Sequence, residues 1–445
     1  MSAGPTRVDA PGHHELRSTM SAEVPTFTGD GRGSYACGMN QRPSEPIRLV
    51  VFNRLRIEKP TANFVNTINT CDALARLGVE VIIYADLGET TSRRVMEAIG
   101  VVPSDNLALR HMRWGYRSLT AGLVARKILR RDRTRVNVAL FSEVRAYTPK
   151  IMCAARRRGF LIGFEAHNAA GNMAREALSA GEAPSKKSIR RARRQEALER
   201  ASLSLSDLVV VPQPRTLQAI RDLVRPDAPL VLLPNGTRVV PYVPAGGKEI
   251  EILYAGSLLT WKGVGTLIAA MARLAPYRLT ILGGRAESER ETLRRMARDL
   301  GCADRITFLP PVPPAEVWAY YARAKVGVVP LSSSFLEARE YTCPVKLMEM
   351  MGAGLPIVAA RLPSVEEFVR DGVEVLLARC DDPEDFAAAI RRLLEDPALA
   401  GRVAAAAHAK AEEHSYDRRA LKLVETIRSA ARARCGVTPG GERTA

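Results

Sequence analysis

The chain has 445 residues, 46% of them hydrophobic and 25% charged, with a formal net charge of +17. That length can bury two separate cores, and the composition is that of a globular protein rather than a fibrous or disordered one. No stretch reaches the about 18 uninterrupted apolar residues that a membrane-spanning helix needs. The seven cysteines, at positions 37, 71, 153, 302, 343, 380 and 435, form no Cys-x-x-Cys pair or Cys/His cluster. This excludes a disulfide framework and a zinc site, and it fits reduced thiols in a cytoplasmic protein.

Residues 1–45 are rich in Gly, Pro, Ser and Thr, without periodicity or an apolar signal region. They are expected to form a disordered leader, with Met20 and Met39 as alternative starts. From residue 46 onward, short apolar strands alternate with amphipathic helices. The N-terminal strands are expected at Arg48–Phe52, Glu80–Ala85, Val138–Phe141, Phe160–Phe164, Leu208–Val211 and Leu230–Leu233. The helices between them are expected at Ala62–Leu77, Ser92–Ile99, Pro149–Arg158 and Arg215–Val224. Such alternation predicts a doubly wound parallel sheet that binds ligand at the carboxyl ends of its strands.

The positive charge is concentrated in this half. Residues 46–233 hold 32 Lys and Arg against 17 Asp and Glu. One run extends from Arg113 through Arg117, Arg126, Lys127, Arg130, Arg131 and Arg133 to Arg135, interleaved with Trp114, Tyr116, Leu119, Leu123 and Ile128. A second is Lys186–Arg200, KKSIRRARRQEALER. Both read as basic amphipathic helices of the kind that lie on anionic membranes; a solvated surface is the alternative. No helix-turn-helix, zinc-finger or RNA-recognition signature accompanies the charge, so nucleic acid is not an expected partner.

Strand 160–164 leads into Glu165-Ala166-His167-Asn168, a polar group at the end of an apolar strand. An imidazole there can hold a sugar hydroxyl or move a proton near neutral pH, or it can simply cap the next helix. Arg145 follows the strand ending at Phe141 and reads either as a site residue or as a surface arginine. Pro234-Asn235-Gly236 begins a turn-rich linker, 235–249. A second α/β domain is expected over 250–414, then a long helix at 415–434 and a tail at 435–445.

In this second domain, the strand Ile250–Ala255 runs into Gly256-Ser257-Leu258-Leu259-Thr260-Trp261-Lys262-Gly263 and the helix Val264–Leu274. Glycine after a strand lets backbone approach a ligand, and a helix start offers free N–H groups to phosphate. Further on, YTCPVKLMEMMGAGLP at 341–356 places Lys346 and Glu349 three apart on one helical face. The flanking strands are expected at Lys325–Leu331 and Leu355–Ala360. The lysine can meet a phosphate and the glutamate can accept from ribose hydroxyls; an ordinary surface ion pair is the plainer alternative. Asp381-Asp382-Pro383 reads as a helix-starting turn, not a metal site.

The order of these landmarks, with Gly283-Gly284, Phe308-Leu309-Pro310, Val328-Val329-Pro330-Leu331, Pro344-x-Lys346-x-x-Glu349 and Gly354-x-Pro356, resembles the retaining glycosyltransferases of family 4. The resemblance covers about Pro46 to Ser429 and is most specific in the C-terminal half. It implies a GT-B architecture, two doubly wound Rossmann-like α/β domains facing across a cleft, with the last helix crossing back onto the first domain. It further implies His167, Lys262 and Glu349 as catalytic residues. The donor-binding residues would be Gly256, Ser257, Gly263, Pro344, Lys346, Leu347 and Arg145. The co-substrate is a nucleotide-sugar, with neither metal nor other cofactor needed. Two positions depart from the family pattern. Ser257 stands where many members have a diphosphate-binding arginine, and Tyr341 where many have the first of two glutamates. The expected activity is retaining transfer of a sugar to a lipid-linked or membrane-proximal glycan. A small soluble acceptor, a non-catalytic subunit and a nucleotide-sugar epimerase are the alternatives.

Overall fold

A computed structural model describes residues 45–435, apart from 57–61, 113–127, 143, 168, 170, 172–173, 175–184 and 243–247. The first half contains β1 (Ile47–Arg56), α1 (Ala62–Arg76), β2 (Glu80–Asp86), α2 (Ser92–Ile99), β3 (Leu107–His111) and β4 (Val136–Phe141). It continues with α3 (Thr148–Arg156), β5 (Leu161–Glu165), α4 (Lys186–Ser204), β6 (Leu208–Val211), α5 (Pro214–Ile220) and β7 (Leu230–Leu232). The second half has β8 (Ile250–Gly256), α6 (Val264–Met271), β9 (Leu279–Gly283), α7 (Glu287–Asp299), β10 (Ile306–Leu309), α8 (Val317–Arg323) and β11 (Ala324–Val329). After these come α9 (Leu336–Glu340), α10 (Val345–Gly352), β12 (Ile357–Arg361), α11 (Pro363–Glu366), β13 (Leu376–Arg379), α12 (Pro383–Glu395), α13 (Pro397–Ala411) and α14 (Tyr416–Arg434).

The strands form two parallel sheets, of seven strands in the order β3-β2-β1-β4-β5-β6-β7 and of six in the order β10-β9-β8-β11-β12-β13. In each, the order reverses beside the first strand, between β1 and β4 and between β8 and β11. Loops there leave on opposite faces and open a crevice at the strands' carboxyl ends. The α/β class and paired-sheet architecture expected from the sequence are present. Strands β3 and β13 were not expected. Each is short and lies at a sheet edge; β3 carries exposed residues that weaken its apolar signal, and β13 has only four residues. Two elements stop short of their expected ends for backbone reasons. Strand β11 ends before Pro330, which has no N–H for the ladder, and β12 starts after Pro356. The helix expected to reach Val224 ends at Ile220 and tightens into a 3₁₀ turn, Arg221–Leu223. Of the basic run expected as a helix over Arg113–Arg135, residues 113–127 lie outside the described residues, and Leu129–Arg135 is not helical but turns directly into β4.

Helix α14 packs on α1, and its Tyr416, Ala420, Leu423, Val424, Ile427 and Ala430 join the core of the N-terminal sheet. Arg419 is buried in the first turn of this helix. The Nη2 of Arg419 donates to Glu165 Oε1, its Nη1 to the carbonyls of Leu233 and Pro234, and its Nε to Thr70 Oγ1 at 3.0 Å. One guanidinium thereby fastens β5, α1 and the linker to the C-terminal helix. The linker is pinned further. Gly236 N donates to Asn66 Oδ1 at 2.8 Å, and Asn235 Nδ2 to the Cys343 carbonyl at 3.0 Å. On the cleft's flanks Ala315 N donates to the Ala98 carbonyl at 3.0 Å, and Arg215 pairs with Glu340 at 2.7 Å.

Removing one partner of a buried ion pair costs about 3–5 kcal/mol, because the other charge stays buried and uncompensated. Arg419→Met is therefore expected to lower unfolding free energy by about that amount in urea denaturation. Adding Glu165→Gln should recover part of the loss. Equal stability of Arg419→Met and the parent would remove this role.

Candidate functional site

A cavity of about 1030 Å³ lies at the carboxyl ends of β8, β9 and β11. Gly256, Ser257, Trp261 and Lys262 line it from the loop after β8, Gly283–Arg285 from the end of β9, and Pro330 and Leu331 from the end of β11. Pro344, Lys346 and Glu349 reach it from α10. The N-terminal domain contributes Asn63 and, from α2, Arg94, Val95 and Ala98.

Glycine is obligatory at one point on this wall and at one point directly behind it. Gly263 has φ +69°, and a Cβ there would stand 1.6 Å from the Pro330 carbonyl oxygen. Gly283 has φ +140°, and its Cβ would stand 1.9 Å from the Gly256 oxygen. The backbones of neighbouring strand ends thus come together without side chains between them. The Tyr254 hydroxyl donates to the Ser257 carbonyl and braces the loop from below. Gly263 begins α6 and Pro344 begins α10, and neither start has a side-chain cap. The first amides of each helix therefore keep their donors, with the positive end of the dipole beside them.

Glu349 is buried, and its Oε2 accepts from the Tyr321 hydroxyl at 2.8 Å and from Lys346 Nζ at 2.7 Å. The pair read from sequence is thus real, but it faces the cavity and has a third member. Tyr321 comes from α8, and nothing in the local sequence pattern connects it with Glu349. Lys262 stacks on the Trp261 ring, its Nζ 3.5 Å from the centroid. Burial pushes its ammonium down to about 8, Lys346 adds repulsion, and Glu337 opposes both. Arg94, Arg285 and Glu337 complete the charged lining and were not singled out from sequence. Arg285 had a signal, since it follows Gly283-Gly284; Arg94 is brought in from the other domain by the fold alone.

Gly256, Ser257, Lys262, Pro344, Lys346 and Glu349 therefore meet in one cavity. Four expected site residues are not part of the lining. Gly263 directly follows Lys262 and begins α6 just behind the wall. Leu347 is wholly buried in the core of the C-terminal domain, because its side chain projects from α10 away from the Lys346–Glu349 face. Arg145 is exposed outside the lining, its amide donating to Thr148 Oγ1 at 3.1 Å. His167 stands after β5, half-buried, with Nε2 4.0 Å from Glu165 Oε2, and is not part of the lining. Asp382 caps α12 by accepting from the amides of Glu384 and Asp385, as a helix-starting turn should. Among the described residues no cluster of His, Cys, Asp and Glu could hold a metal ion, and no helix is long and apolar enough to cross a membrane. The second basic run is helix α4, with Lys186, Lys187, Arg190, Arg191, Arg193, Arg194 and Arg200 exposed.

Comparison with known structures fixes the architecture. Sucrose-phosphate synthase from Thermosynechococcus elongatus superimposes with a TM-score of 0.69 at 19% identity, over 87% of this chain and 100% of that one. The Anabaena protein HepE, solved in complex with UDP-glucose, gives 0.63 at 16% identity over 86% and 100%. The fold is that of the GT-B glycosyltransferases. Residues 249–396, the half of the GT-B pair that holds most of the cavity wall, match the family model of Glycosyl transferases group 1. The D-inositol 3-phosphate glycosyltransferase of Acidothermus cellulolyticus is 34% identical over 190 residues, 40% of this chain and 41% of that protein. The chain spans about half the length of the curated relatives it matches.

The Gly263 contact sets a test of the wall. Gly263→Ala forces a Cβ into the Pro330 carbonyl at a positive φ, so a loss of at least about 1–3 kcal/mol is expected in urea denaturation. Gly265→Ala, whose Cβ would meet only Met296 at 3.6 Å, should change stability far less.

Proposed function

We propose that the protein is a retaining, metal-independent glycosyltransferase that takes a sugar from a nucleoside diphosphate donor held in the cavity. The observation that supports this most is the meeting of Lys262 and Lys346 with the uncapped start of α10 on one wall, beside the buried Glu349. As the C1–O bond of the donor breaks, the diphosphate gains negative charge. Helix-start amides and lysines already in place meet that charge without reorganising. Glu349 accepts from ribose hydroxyls, and its bonds to Tyr321 and Lys346 hold the carboxylate in position. The acceptor hydroxyl attacks the face the diphosphate leaves, and its proton passes to the departing phosphate oxygen. His167 and Arg145, on the N-terminal domain, would meet the sugar and the donor when the domains close further. The printed names of the relatives, with UDP-glucose bound in one of them, agree with a nucleotide-sugar donor.

For the acceptor, a lipid-linked or membrane-proximal glycan is the first reading, on a cytoplasmic protein that rests on the inner membrane face. The exposed cations of α4 motivate it. None of the seven has an ion pair among the described residues, and six crowd the first half of the helix, where the dipole is least favourable to them. A small soluble phosphorylated acceptor is the second reading, suggested by the inositol phosphate named for the sequence relative.

A screen of nucleotide-sugars by thermal shift tests the donor. Turnover of the stabilising donor, with and without acceptor extracts, tests transfer. No stabilisation by any nucleotide or nucleotide-sugar would count against the whole reading. Lys262 adds a pH signature. Bound diphosphate favours its charged form, so binding takes up a proton once the free ammonium has begun to titrate. Affinity should be greatest below pH 8 and fall by up to about tenfold per unit above it. Lys262→Met should bind more weakly and lose this dependence; an unchanged profile would place the diphosphate elsewhere.

The membrane reading has its own test. Each basic residue near an anionic leaflet contributes about 1 kcal/mol, and salt screens it. Co-sedimentation with phosphatidylserine vesicles should exceed that with phosphatidylcholine and fall as salt rises. Arg190→Glu, Arg193→Glu and Arg194→Glu together should abolish it while nucleotide binding survives. Equal sedimentation with both vesicle types would favour the soluble acceptor.

A further inference from the structure

Two carboxylates line the cavity, Glu349 and Glu337, and they are in different states. Glu349 is committed through Oε2 to Tyr321 and Lys346. Glu337, on α9, is half-buried, and its carboxylate has no hydrogen bond or ion pair among the described residues. Its backbone is fixed instead. The Glu337 carbonyl accepts from the Tyr341 amide and, at 2.7 Å, from the Thr342 hydroxyl. Helix α9 is also tied to the other domain by the Arg215–Glu340 pair. Lys262 lies close enough for its ammonium to be influenced by Glu337, yet it rests on Trp261 and forms no ion pair with it. A carboxylate is thus held on a rigid support, partly out of water, facing the cavity with its acceptors unused. Such a group is free to accept hydrogen bonds from a ligand that supplies donors.

Charge decides which part of the ligand that is. A diphosphate lying against Glu337 would set like charges together, which is unfavourable. The diphosphate therefore takes the side of Lys262 and the α6 and α10 starts. The part of the donor beside Glu337 must be uncharged and rich in hydrogen-bond donors, and sugar hydroxyls meet both conditions. A carboxylate also accepts but does not donate, so it rejects a sugar that carries its own carboxylate there.

We propose that Glu337 binds hydroxyls of the sugar to be transferred and selects neutral hexosyl donors over uronates. This rests on the nucleotide-sugar reading of the cavity.

Titration calorimetry on the full chain separates the two. The probes are UDP with UDP-glucose and UDP-glucuronate, and GDP with GDP-mannose. The useful quantity is the affinity of each sugar nucleotide relative to its own nucleoside diphosphate. The parent is expected to bind the neutral donor about tenfold or more tightly than the uronate. Glu337→Gln and Glu337→Ala should lower the relative affinity of the neutral donor about tenfold, narrow the gap to the uronate, and leave the diphosphate alone within twofold. If both variants weaken the bare diphosphate as much as the sugar nucleotide, Glu337 acts through Lys262 and the assignment falls. If neither variant changes the relative affinities, the assignment falls while the nucleotide site stands. If the parent binds none of the probes, the reading of the cavity falls with it.

Discussion

The guanidinium of Arg419 is the constraint on which the arrangement of the two sheets depends. An arginine can be buried only if its donors are met, and here they are met by groups far apart in sequence: Glu165, Thr70, Leu233 and Pro234. Those partners belong to the N-terminal sheet, its first helix and the segment leading to the second domain. The arginine belongs to the last helix, reached only after the second domain is complete. Satisfying one charge therefore closes the chain on itself by returning its last helix to the first sheet. The polar contacts of Asn235 and Gly236 then leave the connection little freedom.

The cavity follows from that placement and from the parallel topology. Reversal of strand order between β8 and β11 sends successive loops to opposite faces, and the glycines at 256, 263 and 283 let those loops close in without side chains. Two helices begin there uncapped, and Lys262 and Lys346 stand beside them. Only one of these lysines is held by a carboxylate of the wall. Glu349 answers Lys346, while Lys262 lies on an indole and titrates easily. The site is left short of negative charge on one side and short of hydrogen-bond donors on the other, at Glu337. A ligand that is an anion at one end and a polyol at the other relieves both.

Much of this could be read along the chain, because it is written in local periodicity. Apolar runs bounded by turn residues gave the alternating strands and helices, and the spacing of Lys346 and Glu349 gave their common face. The glycine loop after β8 announced a close backbone approach. Local pattern was silent where the deciding contact came from elsewhere. Tyr321 bonds Glu349 from 28 positions away. Arg94 enters the cavity from the opposite domain. Leu347 shares a motif with two cavity residues yet turns into the core, since one step along a helix rotates a side chain by about 100°.

The sequence by itself determined most of the elements, their parallel α/β order, the two-domain division and the glycine-lysine pattern of the loop after β8, because each depends on neighbours within a few residues. Tertiary structure alone decided which charges are satisfied and which are left open. Arg419 reads in sequence as one more surface arginine of a basic helix, and Glu337 as one more surface carboxylate. Whether a charge has a partner depends on what the completed fold brings within hydrogen-bond distance, and burial sets what an unmet charge costs. Neither quantity is carried by local spacing.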